Sequence, residues 1–146
     1  MDYFIVELID QVKLAIPLTQ VKEVISVTNS DICPIPGVKP AVVGMTNQRG
    51  NLLWLLDLSL LVSQMSSLTN QLNSAKVIIT QFPEHRLGLM VSKLEEISNL
   101  DPNVNNGSQK SELGNVDYYS GIAQRNEKPI PIIDLEKINS YLNTPV

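Results

Sequence analysis

Short apolar runs rich in β-branched residues recur along this chain, separated by polar turn signals, a pattern that predicts strands rather than long helices. Tyr3 to Ile9 predicts a strand, Asp10-Gln11 a tight turn, and Val12 to Leu18 the second strand of a hairpin. Pro17 suits a strand end or edge, where no ladder donor is needed. Thr19 can cap a short helix from Gln20 to Val27 that carries Val21, Val24 and Ile25 on one face, with Glu23 on the other. Cys33 to Pro40, CPIPGVKP, holds three prolines, which forbid helix and force a stiff, extended connection. Ala41 to Met45 predicts a strand leading into the turn Asn47-Gln48-Arg49-Gly50, where Gly50 can supply a positive φ. Leu52 to Leu56 is continuously apolar, the mark of a strand buried on both faces. Leu58 to Val62 predicts a helical turn.

Ser63 to Ser74 is polar and predicts a connector. Beyond it, Lys76 to Gln81 and Arg86 to Val91 predict a second hairpin around Phe82-Pro83-Glu84-His85, continued by a short helix or strand from Ser92 to Ile97. Asp101 to Asp117 is the longest polar stretch and predicts a mobile surface loop. Tyr118 to Gln124 and Ile130 to Ile133 predict the last strand pair, and Leu135 to Leu142 a C-terminal helix. Many short strands with closely spaced turns imply an all-β barrel or sandwich.

The pattern occurs twice. Gly44 to Leu58, GMTNQRGNLLWLLDL, has a partner in Gly121 to Leu135, GIAQRNEKPIPIIDL, and both Gly44/Gly121 and Asp57/Asp134 are 77 positions apart. Lys13 to Ile25 aligns with Arg86 to Ser98 at an offset of 73, which matches Lys13 with Arg86 and Glu23 with Glu96. Two echoes in the same order predict one supersecondary unit used twice, as two small barrels packed together.

Composition narrows the function. The 146 residues carry 43% apolar and 18% charged residues, a folded chain rather than a disordered one. A formal net charge of -4 and scattered aromatics argue against a nucleic-acid binder, which needs a basic face. Cys33 is the sole cysteine, so an internal disulfide is impossible, and a lone thiol fits a reducing cytoplasm, with a small buried hydrophobe as its expected place. No run is long enough for a membrane-spanning helix and the N-terminus lacks a signal-peptide pattern, so a cytoplasmic protein without membrane insertion is expected.

Candidate chemistry is sparse. One Cys and one His cannot fill a metal shell, and neither glycine-rich phosphate loop is present. His85 is expected to be an exposed turn residue. Asp57 and Asp134 are the best carboxylate pair for acid–base work, but each comes after an apolar strand and precedes Leu, a position that more often caps the next turn or helix. The remaining feature is a surface: Arg49 projects from a glycine turn with five donors for carboxylates or carbonyls.

In order, these segments are a hairpin, VKEVI, PIPGVKP, GMTNQRGNLLWLLDL, the hairpin sequence LGLMV and GIAQRNEKPIPIIDL. Together they resemble the CheW domain family, the coupling proteins of bacterial chemosensory systems, over about Tyr3 to Tyr141. The resemblance implies an all-β fold with short helices, two intertwined five-stranded SH3- or OB-like β-barrels. It implies a single domain over residues 1–146, with halves at about 3–62 and 75–142 and strands exchanged between them. It implies no catalysis, cofactor or metal. The implied partners are the regulatory domain of a CheA-type histidine kinase and the cytoplasmic tip of a methyl-accepting chemoreceptor, in membrane-associated arrays. Arg49, Glu23, Val21, Asn47 and Gly50 fall on partner-binding positions, and Gly44, Gly88, Asp57 and Asp134 on structural ones. Trp54 stands where the family's strand usually has proline, Val91-Ser92 replaces the frequent Val-Val-Asp, and Ser59-Leu60 brings no basic residue after Asp57-Leu58. These departures resemble the PilI-like branch of type IV pilus systems, including phototaxis sets. Two alternatives stay open: a free-standing module for a response regulator or motor protein, and a small hydrolase using Asp57 or Asp134 with His85.

Overall fold

The computed structural model describes residues 1–63, 74–103 and 116–143. Most of the predicted connector at 63–74 and of the predicted loop at 101–117 lies outside the described residues. The chain runs β1 (Asp2–Glu7), β2 (Lys13–Pro17), β3 (Glu23–Thr28), β4 (Val42–Gln48), β5 (Asn51–Asp57), β6 (Ser74–Gln81), β7 (Arg86–Val91), β8 (Lys93–Asn99), β9 (Pro102–Asn103), β10 (Tyr119–Arg125), β11 (Lys128–Ile133) and helix α1 (Leu135–Asn143). Short 3-10 turns and a π-type turn at Ser59–Ser63 link several of them. This is the expected all-β class with few short helices.

One predicted element is of the wrong type. Val21 to Val27 is not helical: a 3-10 turn at Leu18–Gln20 leads into β3, which pairs antiparallel with β6. Val24, Ile25, Val27 and Thr28 are β-branched, and the apolar strand β6 offers a ladder that outweighs a weak helical period. The stretch after Ser92, left open between helix and strand, is β8.

Two sheets result, with strand orders β8-β1-β2-β11-β10-β9 and β3-β6-β7-β5-β4. Each contains a hairpin from the other part of the chain: β1–β2 lies among β8 to β11, and β6–β7 lies among β3 to β5. The junctions are parallel pairs, Ala15 opposite Ile132 and Leu55 opposite Gly88. Adding 73 to Ala15 gives Gly88, and adding 77 to Leu55 gives Ile132, so the two junctions are the same contact made reciprocally. The bulges agree, since β4 shifts register just before Gly44 and β10 just before Gly121. The duplication expected from the sequence is therefore built into the pairing.

Three apolar layers arise from strand alternation. Tyr3, Ile5, Ala15, Ile130 and Ile132 form one cluster on the six-stranded sheet. Val27, Leu53, Leu55, Val77, Ile79 and Met90 form another on the five-stranded sheet. Between the sheets lies the largest cluster, with Leu14, Ile16, Leu56, Ile78, Leu87, Leu89, Ile133 and Ile138 of α1. β5 and β7 send alternate residues to two layers, which is why they read as continuously apolar. Leu52 departs from that reading and is 65% exposed, because it lies near the hairpin tip opposite Asn47. Cys33 is also exposed rather than buried: it bridges to Met45 on the outer edge of β4, with Cys33 N–H donating to Met45 O at 2.7 Å.

That bridge explains Gly44. Its φ is +146°, and a Cβ there would lie 2.2 Å from the carbonyl oxygen of Cys33. At Gly88 the space is closed by side chains instead, with Val77 Cγ1 2.6 Å and Leu55 Cδ2 2.9 Å from a built Cβ. Gly44→Ala is expected to destabilise the fold by about 3 kcal/mol or more, since backbone cannot yield as side chains can. Gly88→Ala should lose about 1–3 kcal/mol, and urea unfolding of the two variants measures the ranking.

Candidate functional site

The turn between β4 and β5 holds two consecutive residues at positive φ, Arg49 at +55° and Gly50 at +81°. This is the left-handed pair that a tight two-residue hairpin needs, and Gly50 takes its share without strain. Asn47 braces the turn, its Oδ1 accepting from the Gly50 N–H at 2.9 Å. Asn47 and Gly50 thus hold the base from which Arg49 projects, with 76% of its side chain exposed.

Arg49 is paired with Glu23 of β3 at 2.8 Å. Gln48 Nε2 donates to the same carboxylate at 3.3 Å, Arg86 Nη1 donates to Gln48 Oε1 at 3.2 Å, and Arg86 Nε donates to Gln81 Oε1 at 3.2 Å. β3 and β4 are the outer strands of one sheet, so Glu23 stitches its two edges together. A groove of about 520 Å³ lies between them, lined by Ile25, Ser26, Val27, Asp31 and Thr46 to Arg49. It has apolar, hydroxyl, acidic and basic members and no convergent catalytic set. Val21 does not join the ion pair: it is half-buried just ahead of β3 and packs, like Val24, against the layer between the sheets.

Sequence reasoning missed Gln48 and Arg86 here. Arg86 left a trace in the repeat as the match of Lys13, but only folding brings it beside Gln48. The other sheet carries a related network. Lys13 pairs with Glu95 at 2.9 Å, and Arg125 reaches both Glu95, at 3.3 Å, and Glu96, the repeat match of Glu23. Glu96 is thus held by Arg125, which the 77-residue offset matches with Gln48.

Asp57 and Asp134 do the same local work. Asp57 Oδ1 accepts from the N–H groups of Ser59 and Leu60 at 2.9 and 3.3 Å, and Asp134 Oδ1 from those of Glu136 and Lys137 at 3.0 and 3.2 Å. Each thereby caps the segment that succeeds its strand. Their backbones repeat the match, Asp57 N–H donating to Ala41 O and Asp134 N–H to Tyr118 O. His85, expected to be exposed, is half-buried with its ring 5.4 Å from Phe82. The hairpin tip folds back through Phe82 N–H donating to His85 O at 2.9 Å, which tucks the ring inward. Among the described residues no His, Cys, Asp and Glu cluster is arranged to hold a metal.

Two sheets with exchanged hairpins, carboxylates used as caps and a polar seam at a hairpin tip make up a double-sheet β module. The chain belongs to the CheW-like domain family, whose model matches residues 2–142. Among solved structures it is similar to the scaffolding protein TtCheW from Thermoanaerobacter tengcongensis, at 21% identity and a TM-score of 0.72. That match covers 92% of this chain and 84% of the other. By sequence, no curated protein matches.

This geometry sets two measurable outcomes. Asp57 is fully buried whereas Asp134 is half-buried, so Asp57→Ala should cost about 2–3 kcal/mol and Asp134→Ala about 1 kcal/mol in urea unfolding. The hydrogen bond from Lys13 holds the Glu95 carboxyl below the usual glutamate range, aided by Arg125 against the opposing effect of burial. A lowered folded-state value gives stability that is present above the unfolded value, about pH 4.3, and is lost as pH falls through the folded one. Glu95→Gln should therefore flatten the loss of stability below about pH 4.3, as read by unfolding across a pH series.

Proposed function

We propose that the protein is a non-enzymatic adaptor that couples the cytoplasmic tip of methyl-accepting chemoreceptors to a CheA-type histidine kinase. The observation that carries this reading is the Arg49 turn: an exposed guanidinium on a braced hairpin, linked to the edge of a second strand through Glu23. Membership of the CheW-like family and the likeness to a scaffolding protein support it. The best carboxylates serve as caps, which leaves surface rather than chemistry as the means of action.

Physically, such an adaptor needs rigid surfaces at fixed angles. Weak contacts at several surfaces combine through effective concentration, and a partner's equilibrium is biased by differential binding to its states. Arg49, Glu23, Asn47 and Gly50 belong to one partner-binding surface in this reading, and Val21 borders it. The protein acts in the cytoplasm at membrane-associated receptor arrays; no helix of the described residues is long and apolar enough to cross a membrane. The departures at Trp54, Ser92 and Ser59-Leu60 favour the PilI-like branch, with twitching motility or phototaxis as output.

Arg49→Glu keeps the same backbone demand at the turn and removes an ion pair worth about 0–1 kcal/mol at an exposed site, so the fold should persist. Binding to a purified CheA-type kinase and receptor signalling fragment should weaken about tenfold, with loss of receptor-dependent control of autophosphorylation. Unchanged assembly and kinase control would remove Arg49 from the partner surface. Failure of the unaltered protein to bind either partner would overturn the adaptor reading.

A further inference from the structure

Arg49 stands at one end of a chain of side chains that crosses the five-stranded sheet. Its Nη2 lies 2.8 Å from Oε1 of Glu23, and Gln48 Nε2 donates to Oε2 of the same carboxylate at 3.3 Å. Gln48 Oε1 accepts from Arg86 Nη1, and Arg86 Nε donates to Gln81 Oε1, both at 3.2 Å. Gln81 Nε2 ends the chain on backbone, donating to Phe82 O at 2.6 Å and to His85 O at 3.2 Å. Phe82 is buried in the apolar layer between the sheets. The tip of the β4–β5 hairpin is thus tied to a turn that is anchored in the core.

Two observations separate this chain from passing surface contacts. Gln48 is only 9% exposed, although glutamine is mostly a surface residue. Both ends of its amide have partners, as burial of a polar group demands. The bonds also have one sense: each donates away from Arg86, so they reinforce one another and bring its positive charge to bear on Glu23 through the Gln48 dipole. Exposure then divides the members. Arg49 projects into solvent, whereas Glu23 and Arg86 are half-buried. A partner can draw Arg49 away while Glu23 stays behind, and a half-buried carboxylate that loses its cation is costly unless another donor remains on it.

We propose that Gln48, held by Arg86, is a positioning residue that keeps Glu23 satisfied and in place while Arg49 is exchanged to a partner's carboxylate. This rests on the adaptor reading of the Arg49 surface. In the free protein the two oxygens of Glu23 are divided between Arg49 and Gln48. Without the amide, Arg49 is left to answer both oxygens in the parallel two-bond form that guanidinium and carboxylate favour, and its release costs more. Gln48 and Arg86 therefore govern how readily Arg49 leaves, not what it then binds.

The test uses the full chain. Gln48→Leu removes the amide, and Arg86→Lys keeps the charge but loses the fork that spans Gln48 and Gln81. Rotation of the Arg49 guanidinium, read by ¹⁵N NMR and assigned by its loss in Arg49→Lys, should slow severalfold in Gln48→Leu and less in Arg86→Lys. Affinity for the receptor signalling fragment should fall about fivefold in Gln48→Leu, with urea unfolding showing the fold intact. In a Glu23→Gln background, which has no carboxylate to hold, adding Gln48→Leu should change neither the rotation nor the affinity. An unchanged rotation rate in Gln48→Leu would overturn the inference, as would slowed rotation with unchanged affinity, or the same loss of affinity in the Glu23→Gln background. Failure of the unaltered protein to bind its partners would overturn the adaptor reading alone, and the rotation rate would still decide whether Gln48 governs the release of Arg49.

Discussion

Each sheet of this protein is completed by a hairpin from the opposite part of the chain, and that reciprocal exchange holds the molecule together. β2 lies parallel to β11 and β7 parallel to β5, with the small residues Ala15 and Gly88 at the matched junctions. Space there is short: a Cβ on Gly88 would press on Val77, Leu55 and Leu53. Parallel neighbours cannot be joined by a tight turn, so these pairings are long-range and neither half can complete its sheet alone. The layer between the sheets then draws on both hairpins, through Leu14 and Ile16 on one side and Leu87 and Leu89 on the other.

Everything exposed is placed by this arrangement. Once hairpin β6–β7 occupies the middle of its sheet, β3 and β4 become the outer strands, and their side chains meet at Glu23. The same operation on the other sheet brings Arg125 to Glu95 and Glu96. The two seams occupy matched places in the repeat but pair their charges differently. One keeps Arg49 largely in solvent, whereas the other spends its arginine on two carboxylates. In the proposed adaptor role the first seam meets the partner, because an exposed pair is worth little to the fold and can be exchanged for a partner's group.

The repeat was legible in the sequence because it rests on local chemistry. An Asp after an apolar strand caps the next turn, and a glycine follows a bulge, in both copies of the unit. The strands were legible too, since β5, β6 and β7 are apolar on both faces. The segment at Val21 to Val27 failed for a physical reason: its residues suit a strand once β6 is alongside, and nothing local shows that β6 will pair with them. Cys33 and His85 were misplaced for a similar reason. Exposure of one depends on an edge bridge to Met45, and burial of the other on a turn folding back through Phe82.

By itself, then, the sequence determined the all-β class, the twofold use of one unit, the capping roles of Asp57 and Asp134 and the turn that presents Arg49. Each of these is set within a few residues by φ preference, alternation or a side chain reaching its own backbone. Only the tertiary structure decided which hairpin entered which sheet, that Glu23 and Gln48 would answer Arg49, and that Arg86 would join them. Those contacts join residues tens of positions apart, and their energies depend on long-range packing that no local pattern encodes.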